Sequence, residues 1–376
     1  MAERTSSIAT ALAVTGCGVV SPIGIGFEAF MEAFDDGRSG QVALGDYFAE
    51  PLPQKTACYL ASFEVRDFLG RKGTSFYDRL TALGMVACDL TLAHSDLVIT
   101  DANREMVGVI VGTSTGSLKS ASDYSRETMT QEHPHWVNPI LFPNTILNSL
   151  AGQAAIRYGL KGVNATVAGG QLSSLMVLRY ASMVIRQGRA NALVVGGVEE
   201  FTPHNAWRLH HTGLLEGTNT LMGEGSAMFV VEATTAVRKA GRFPLAEILA
   251  CEVIQCGQLD EPEGLAQHFA GCISRALDRA GVTPEQIWAV SSSETGNCLL
   301  DTIERGGLNL ALPQPLAHQL RVKRQVGECD SAAGAFQLAA LLALYRKCTD
   351  GNRRCSLVLS VGEDGSMGCA VVKGGG

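Results

Sequence analysis

The stretch Thr166-Val-Ala-Gly-Gly-Gln-Leu-Ser-Ser-Leu175 carries an apolar strand through a Gly-Gly turn into a helical segment. A side chain at such a turn meets a helix N-terminus, whose backbone N–H groups and dipole favour an anion. A nucleophile would suit that position, and the residue there is Gln171. A carboxamide has no anionic form near neutral pH, so covalent catalysis from this turn is ruled out. The 11 cysteines are scattered singly, with no CxxC pair and no Cys/His cluster at metal-ligand spacing. No metal site and no cofactor are expected, and the thiols read as reduced and mostly buried. Two basic runs stand out: Arg321, Lys323 and Arg324, then Arg179, Arg186 and Arg189. Neither interleaves aromatics as a nucleic-acid site would, and a net charge of −7 argues against a surface devoted to nucleic acid.

The elements that position these residues alternate. Apolar, β-rich runs recur at Val107–Val111, Ala165–Ala168, Ala192–Val195, Ala227–Val231, Ala289–Ser292, Leu357–Val361 and Cys369–Val372, with helical segments between them. That alternation predicts a layered α/β protein, and 376 residues suffice for a large core. The chain also repeats itself. Gln171 to Glu200 and Asp330 to Asp364 each run helix, polar break, strand, and Val107–Gly116 upstream of the first echoes Trp288–Gly296 upstream of the second. An internal duplication is implied, with an N-terminal half over 1–245 and a C-terminal half over 246–376. The two matched helices are apolar around most of their circumference, which predicts a buried pair sandwiched between two sheets. The polar opening Met1–Thr10 carries no signal peptide, and the longest apolar stretch, Ala332–Leu344, is too short to span a bilayer. A soluble, cytoplasmic protein with no membrane partner is expected.

Several segments taken in order resemble the β-ketoacyl synthase branch of the thiolase superfamily. They are Val14-Thr-Gly-Cys-Gly-Val-Val-Ser-Pro-Ile-Gly24, Gly37-Arg-Ser-Gly40, Phe142-Pro-Asn144, Ala151-Gly-Gln153, Gly159-Leu-Lys-Gly162, Gly196-Gly-Val-Glu199, Met222-Gly-Glu-Gly-Ser226 and Ala332-Ala-Gly334. The resemblance implies a five-layer αβαβα thiolase fold acting as a dimer. It also implies a catalytic triad of one cysteine and two histidines, and here those positions hold Gln171, Ser293 and Glu328. A neutral hydroxyl has no useful pKa for this work, and an ionised glutamate would repel a malonyl carboxylate and an enolate. None of the eight histidines falls at either histidine position, and Cys329, beside Glu328, lies on the wrong half.

Glutamine at the cysteine position resembles the chain-length factor, the β subunit that pairs with a catalytic ketosynthase α subunit in type II polyketide systems. The expected function is therefore non-catalytic: to shape the channel for an acyl chain held on the partner's cysteine. Two alternatives are a malonyl-carrier decarboxylase using Gln171, and a paralogue that only stabilises its partner. By the resemblance, Leu118, Ala121 and Ser125 on the helix after Thr115-Gly-Ser117 line the channel, and Ala165, Thr166, Val167 and Ala168 form the dimer interface. An acidic acyl carrier protein is the other expected partner, with Arg321, Lys323 and Arg324 as candidate contacts. The Gln171 amide is expected either to fill the vacated oxyanion space and bond the backbone there, or to reach across the interface.

Overall fold

The computed structural model describes residues 11–257, 262–312, 314–348 and 354–375; the polar opening 1–10 lies outside them. Ten strands dominate. They are β1 Leu12–Ser21, β2 Val107–Thr113, β3 Asn164–Ala168, β4 Ala192–Glu199, β5 Gly225–Ala233, β6 Ala246–Gln255, β7 Ile287–Ser291, β8 His318–Leu320, β9 Cys355–Val361 and β10 Ser366–Gly374. The N-terminal five lie in the order β1-β5-β4-β2-β3 and the C-terminal five in the order β6-β10-β9-β7-β8. In each set the first two pairings are antiparallel and the last two parallel. Adding five to each strand number of the first order gives the second, so the repeat seen in the sequence is a repeat of topology.

Seven helices frame the site: α1 Arg79–His94, α2 Leu118–Thr130, α3 Ser149–Tyr158, α4 Ser173–Arg186, α5 Pro262–Ala280, α6 Cys298–Ala311 and α7 Ala333–Lys347. Helices α4 and α7 touch each other and strands of both halves, which makes them the middle layer. Outside, α1 and α3 cover the N-terminal strands, and α5 and α6 cover the C-terminal ones. This is the expected αβαβα arrangement.

Two details differ from expectation. The two sheets are not separate, because β1 and β6 pair over Leu12–Val14 and Ala246–Ile248 and join the halves into one hydrogen-bonded series. The middle helices also differ from each other. Helix α7 buries twelve residues around nearly its whole circumference, whereas α4 leaves Arg179, Met183 and Arg186 exposed on one side. Strand β6 escapes a hydrophobicity scan because Glu247 and Glu252 interrupt it. Both carboxylates are buried and neutralised from neighbouring helices, Glu247 by Arg238 at 2.5 Å and Glu252 by Arg279.

Candidate functional site

Gln171 lies in, and Glu328 two residues before, equivalent turns of the two halves, and Ser293 bonds Val361, two residues from the Glu363 N–H that Gln171 bonds. Residues Gly170–Leu172 form a 3₁₀ turn leading into α4, and Asp330–Ala332 form its counterpart leading into α7. The two turns pack on each other. Gly170 sits at φ 53°, the left-handed region that glycine adopts without a Cβ penalty. Asp330 adopts φ 39° as a non-glycine residue, and its backbone N–H donates to Glu328 Oε1 at 2.8 Å.

Each of the three side chains is engaged within the chain itself. Gln171 is 5% exposed. Its Oε1 accepts from the Glu363 backbone N–H at 2.9 Å, and its carbonyl accepts from Ser360 Oγ at 3.4 Å. The amide oxygen therefore bonds backbone on its own chain. Ser293 donates through Oγ to Glu304 Oε2 on α6 and accepts from the Val361 N–H at 3.1 Å. Glu304 also accepts from Ser292 Oγ at 2.6 Å. Burial pushes the Glu304 carboxyl up, against the two serine hydroxyls that favour its anion.

Glu328 is 1% exposed, and its Oε2 accepts from Lys323 Nζ at 2.6 Å. Burial raises the carboxyl from its ordinary value, opposed by the lysine. The ion pair commits Glu328 to its own chain. Cys329 is buried beside it, and burial with the neighbouring Glu328 lifts the thiol well above its usual value. It is therefore no substitute nucleophile.

Buried carboxylates, which sequence reasoning did not single out, surround this site. Glu199 ends β4, accepting from the Ser114 N–H at 3.1 Å and Ser331 Oγ at 2.7 Å. Burial, with Asp330 nearby, pushes it up to about 7. Next to it, Glu200 accepts from Ser117 Oγ at 3.1 Å, and burial beside Asp78 pushes it up to about 8. Arg208, on the helix Pro203–Thr212, bonds both Asp330 and Glu363. The signal available in the sequence was the pair Glu199-Glu200 closing an apolar strand.

The other expected residues separate by exposure. Lys323 is buried in its ion pair with Glu328, so its ammonium is not presented to a docking protein. Arg321 reaches Glu294 at 3.0 Å and Arg324 is exposed. Leu118 and Ala121 are half-buried and Ser125 is exposed, spaced along one face of α2, a helix that buries only Ser120. Strand β3, holding Ala165, Thr166, Val167 and Ala168, ends the N-terminal series, with one edge unpaired among the described residues. Thr166 Oγ1 is buried there without a partner. Among the described residues no cluster of His, Cys, Asp and Glu would hold a metal ion, and no helix is long and apolar enough to cross a membrane.

Comparison with known proteins agrees with this architecture. The family model "Beta-ketoacyl synthase, N-terminal domain" matches residues 9–236, and "Beta-ketoacyl synthase, C-terminal domain" matches 245–350. A 3-oxoacyl-[acyl-carrier-protein] synthase 2 of Rhizobium meliloti (strain 1021) is 26% identical over 353 residues, spanning 86% of this chain and 83% of that protein. The structure described as the ishigamide ketosynthase/chain length factor is 34% identical with a TM-score of 0.84, covering 97% of this chain and 99% of that one. A type II polyketide ketosynthase solved with its acyl-carrier protein, AntDE:AntF, shares the fold at 18% identity and a TM-score of 0.81, with coverage of 97% and 99%. On its fold and on these matches, the chain belongs to the β-ketoacyl synthase family.

Proposed function

We propose that this chain is the non-catalytic, chain-length-determining subunit of a heterodimeric type II ketosynthase. The observation that carries the reading is that the three reaction positions hold Gln171, Ser293 and Glu328, each bonded within its own chain. Condensation needs a thiolate, which Gln171 cannot form, and two groups free to act on the malonyl unit, whereas Ser293 is bonded to Glu304 and Glu328 to Lys323. The 34% identity to the ishigamide ketosynthase/chain length factor supports the same assignment.

The partner is a catalytic ketosynthase subunit, seated against the unpaired edge of β3 and the open face of α2. The acyl chain on that partner's cysteine then passes Leu118, Ala121 and Ser125, whose volume limits the number of extensions. A carrier protein delivers acyl and malonyl groups, with Arg321 and Arg324 as its contacts on this subunit. The AntDE:AntF pairing of a ketosynthase with its carrier protein is the parallel. A decarboxylase reading finds no support, because both histidine positions hold carboxylate-bound or carboxylate side chains.

The test is co-expression with the ketosynthase and analysis of products from Ala121→Trp. The expected outcome is an intact one-to-one complex releasing products shorter by one or more extensions. An unchanged product spectrum from an intact complex overturns the channel assignment. Carbon dioxide release from malonyl-carrier protein by this subunit alone overturns the non-catalytic one.

A further inference from the structure

Three segments converge over Gln171: its own turn, the turn 330–332, and the loop 362–365 between β9 and β10. Burial orders them from inside to outside. Gln171 and Asp330 are buried, while the side chains of Arg208 and Glu363 retain 29% and 36% of their exposure. Arg208 spans this rim. One nitrogen of its guanidinium donates to Asp330 Oδ2, and the other donates to Glu363 Oε1 at 3.0 Å. The backbone N–H of the same Glu363 is the group that the Gln171 amide engages. The loop is thus tied from outside by a charge-assisted bond and from inside by the glutamine.

Geometry favours arginine for this task. A guanidinium is a planar fork whose donors reach two acceptors at once, whereas a lysine ammonium acts as a point charge on one centre. The two carboxylates come from different segments, Asp330 from the C-terminal turn and Glu363 from the β9–β10 loop. Without a cation between them they would repel each other and part.

We infer that Arg208 closes the approach to Gln171 by clamping Asp330 to Glu363, so that a carrier-borne thioester arm is excluded from position 171. The clamp deepens the non-catalytic reading, on which it rests: the arm is directed to the partner's cysteine because this approach is shut.

The experiment places a reporter thiol behind the clamp in the full-length chain, as Gln171→Cys. Iodoacetamide and a bromoacetyl-pantetheine are the probes, and peptide mass spectrometry reads each site separately. Exposed Cys298 serves as the accessible reference and buried Cys369 as the unfolding reference. With Arg208 present, the introduced thiol is expected to react more slowly than Cys298 with both probes. Adding Arg208→Ala, or the rim-only change Glu363→Gln, is expected to speed its labelling about tenfold while Cys369 stays protected, because labelling tracks the open population. Arg208→Lys is expected to fall nearer the alanine variant than the parent. Reaction as fast as Cys298 with Arg208 intact overturns the clamp. So does a rate unmoved by both Arg208→Ala and Glu363→Gln while Cys369 stays protected. If Arg208→Ala exposes Cys369, Glu363→Gln decides the matter, since its side chain lies at the rim. The readout involves no partner subunit and no product, so a failure of the clamp is distinguishable from a failure of the proposed function, which has its own test.

Discussion

The buried cluster around Gln171 and the α2–β3 face are opposites in how they use polar and apolar groups. In the cluster, Gln171, Ser293 and Glu328 are buried and bonded to their own chain. At the face, α2 buries a single residue, β3 leaves an edge unpaired, and Trp136, Phe142, Ile146 and Leu147 are exposed nearby in the chain. Exposed apolar side chains and an open strand edge are features of surfaces that partners complete. A polar site whose side chains are held by their own chain is committed to the fold, although the Gln171 NH2 donates to no group among the described residues and Glu199 Oε1 is buried without a partner there. On the proposed function, the contrast puts the working surface of this chain at its periphery and leaves Gln171, Ser293 and Glu328 as part of the core.

The largest expected effect lies at the closed end of that contrast. Lys323 and Glu328 form a buried pair at 2.6 Å, and removing one partner strands an uncompensated charge. Lys323→Ala is expected to destabilise by about 3–5 kcal/mol in urea unfolding of the purified chain. The double change Lys323→Met with Glu328→Leu is expected to recover most of that loss, because two desolvation penalties vanish with the pair. A loss under about 1 kcal/mol for the single variant would mean that the pair is wet and the site open.

The open end predicts the reverse pattern. Ala168 is exposed on β3, so Ala168→Lys is expected to leave the stability of the isolated chain within about 0.5 kcal/mol. A lysine buried against a partner lacks a counter-ion, and association with the ketosynthase is expected to weaken by about 2 kcal/mol or more. Equal affinity of the two forms in a titration followed by sedimentation would move the interface elsewhere.

The same contrast decides what the sequence could reveal. The seven apolar runs all became strands, because β-rich segments between helices obey local periodicity. Strand β6 was hidden by Glu247 and Glu252, whose neutralising arginines come from neighbouring helices. The turns around Gln171, Ser293 and Glu328 were readable because glycines mark them. What each side chain does there was not, since their partners Glu363, Glu304 and Lys323 depend on tertiary placement. The basic run misled at Lys323 for the same reason: one-dimensional charge cannot distinguish an exposed lysine from one folded inward onto a carboxylate five residues on. The exposed side of α4 shows the converse, with Met183 apolar in type and exposed in place.

The smallest predicted effect tests whether the acidic lining of the closed region is kept protonated. Glu200 is pushed up to about 8 by burial first and by Asp78 second, with Ser117 opposing. The Asp78 carboxylate is itself fixed, capping α1 through the Thr81 N–H at 2.7 Å. A raised carboxyl in the folded state binds its proton more tightly than the unfolded chain does. Its contribution to stability is therefore complete below the ordinary value of 4.5 and is lost as pH rises through about 8. Glu199, pushed up to about 7, acts in the same sense over a narrower window. The melting temperature is expected to fall between about pH 5 and pH 8 by a few degrees. Glu200→Gln, which holds the neutral form at every pH, is expected to flatten the upper part of that fall and leave the value near pH 5 almost unchanged. A variant as pH-sensitive as the parent would mean that Glu200 is ionised in the folded protein. Water would then reach the cluster, and the difference between a sealed interior and an open face would lose its electrostatic basis.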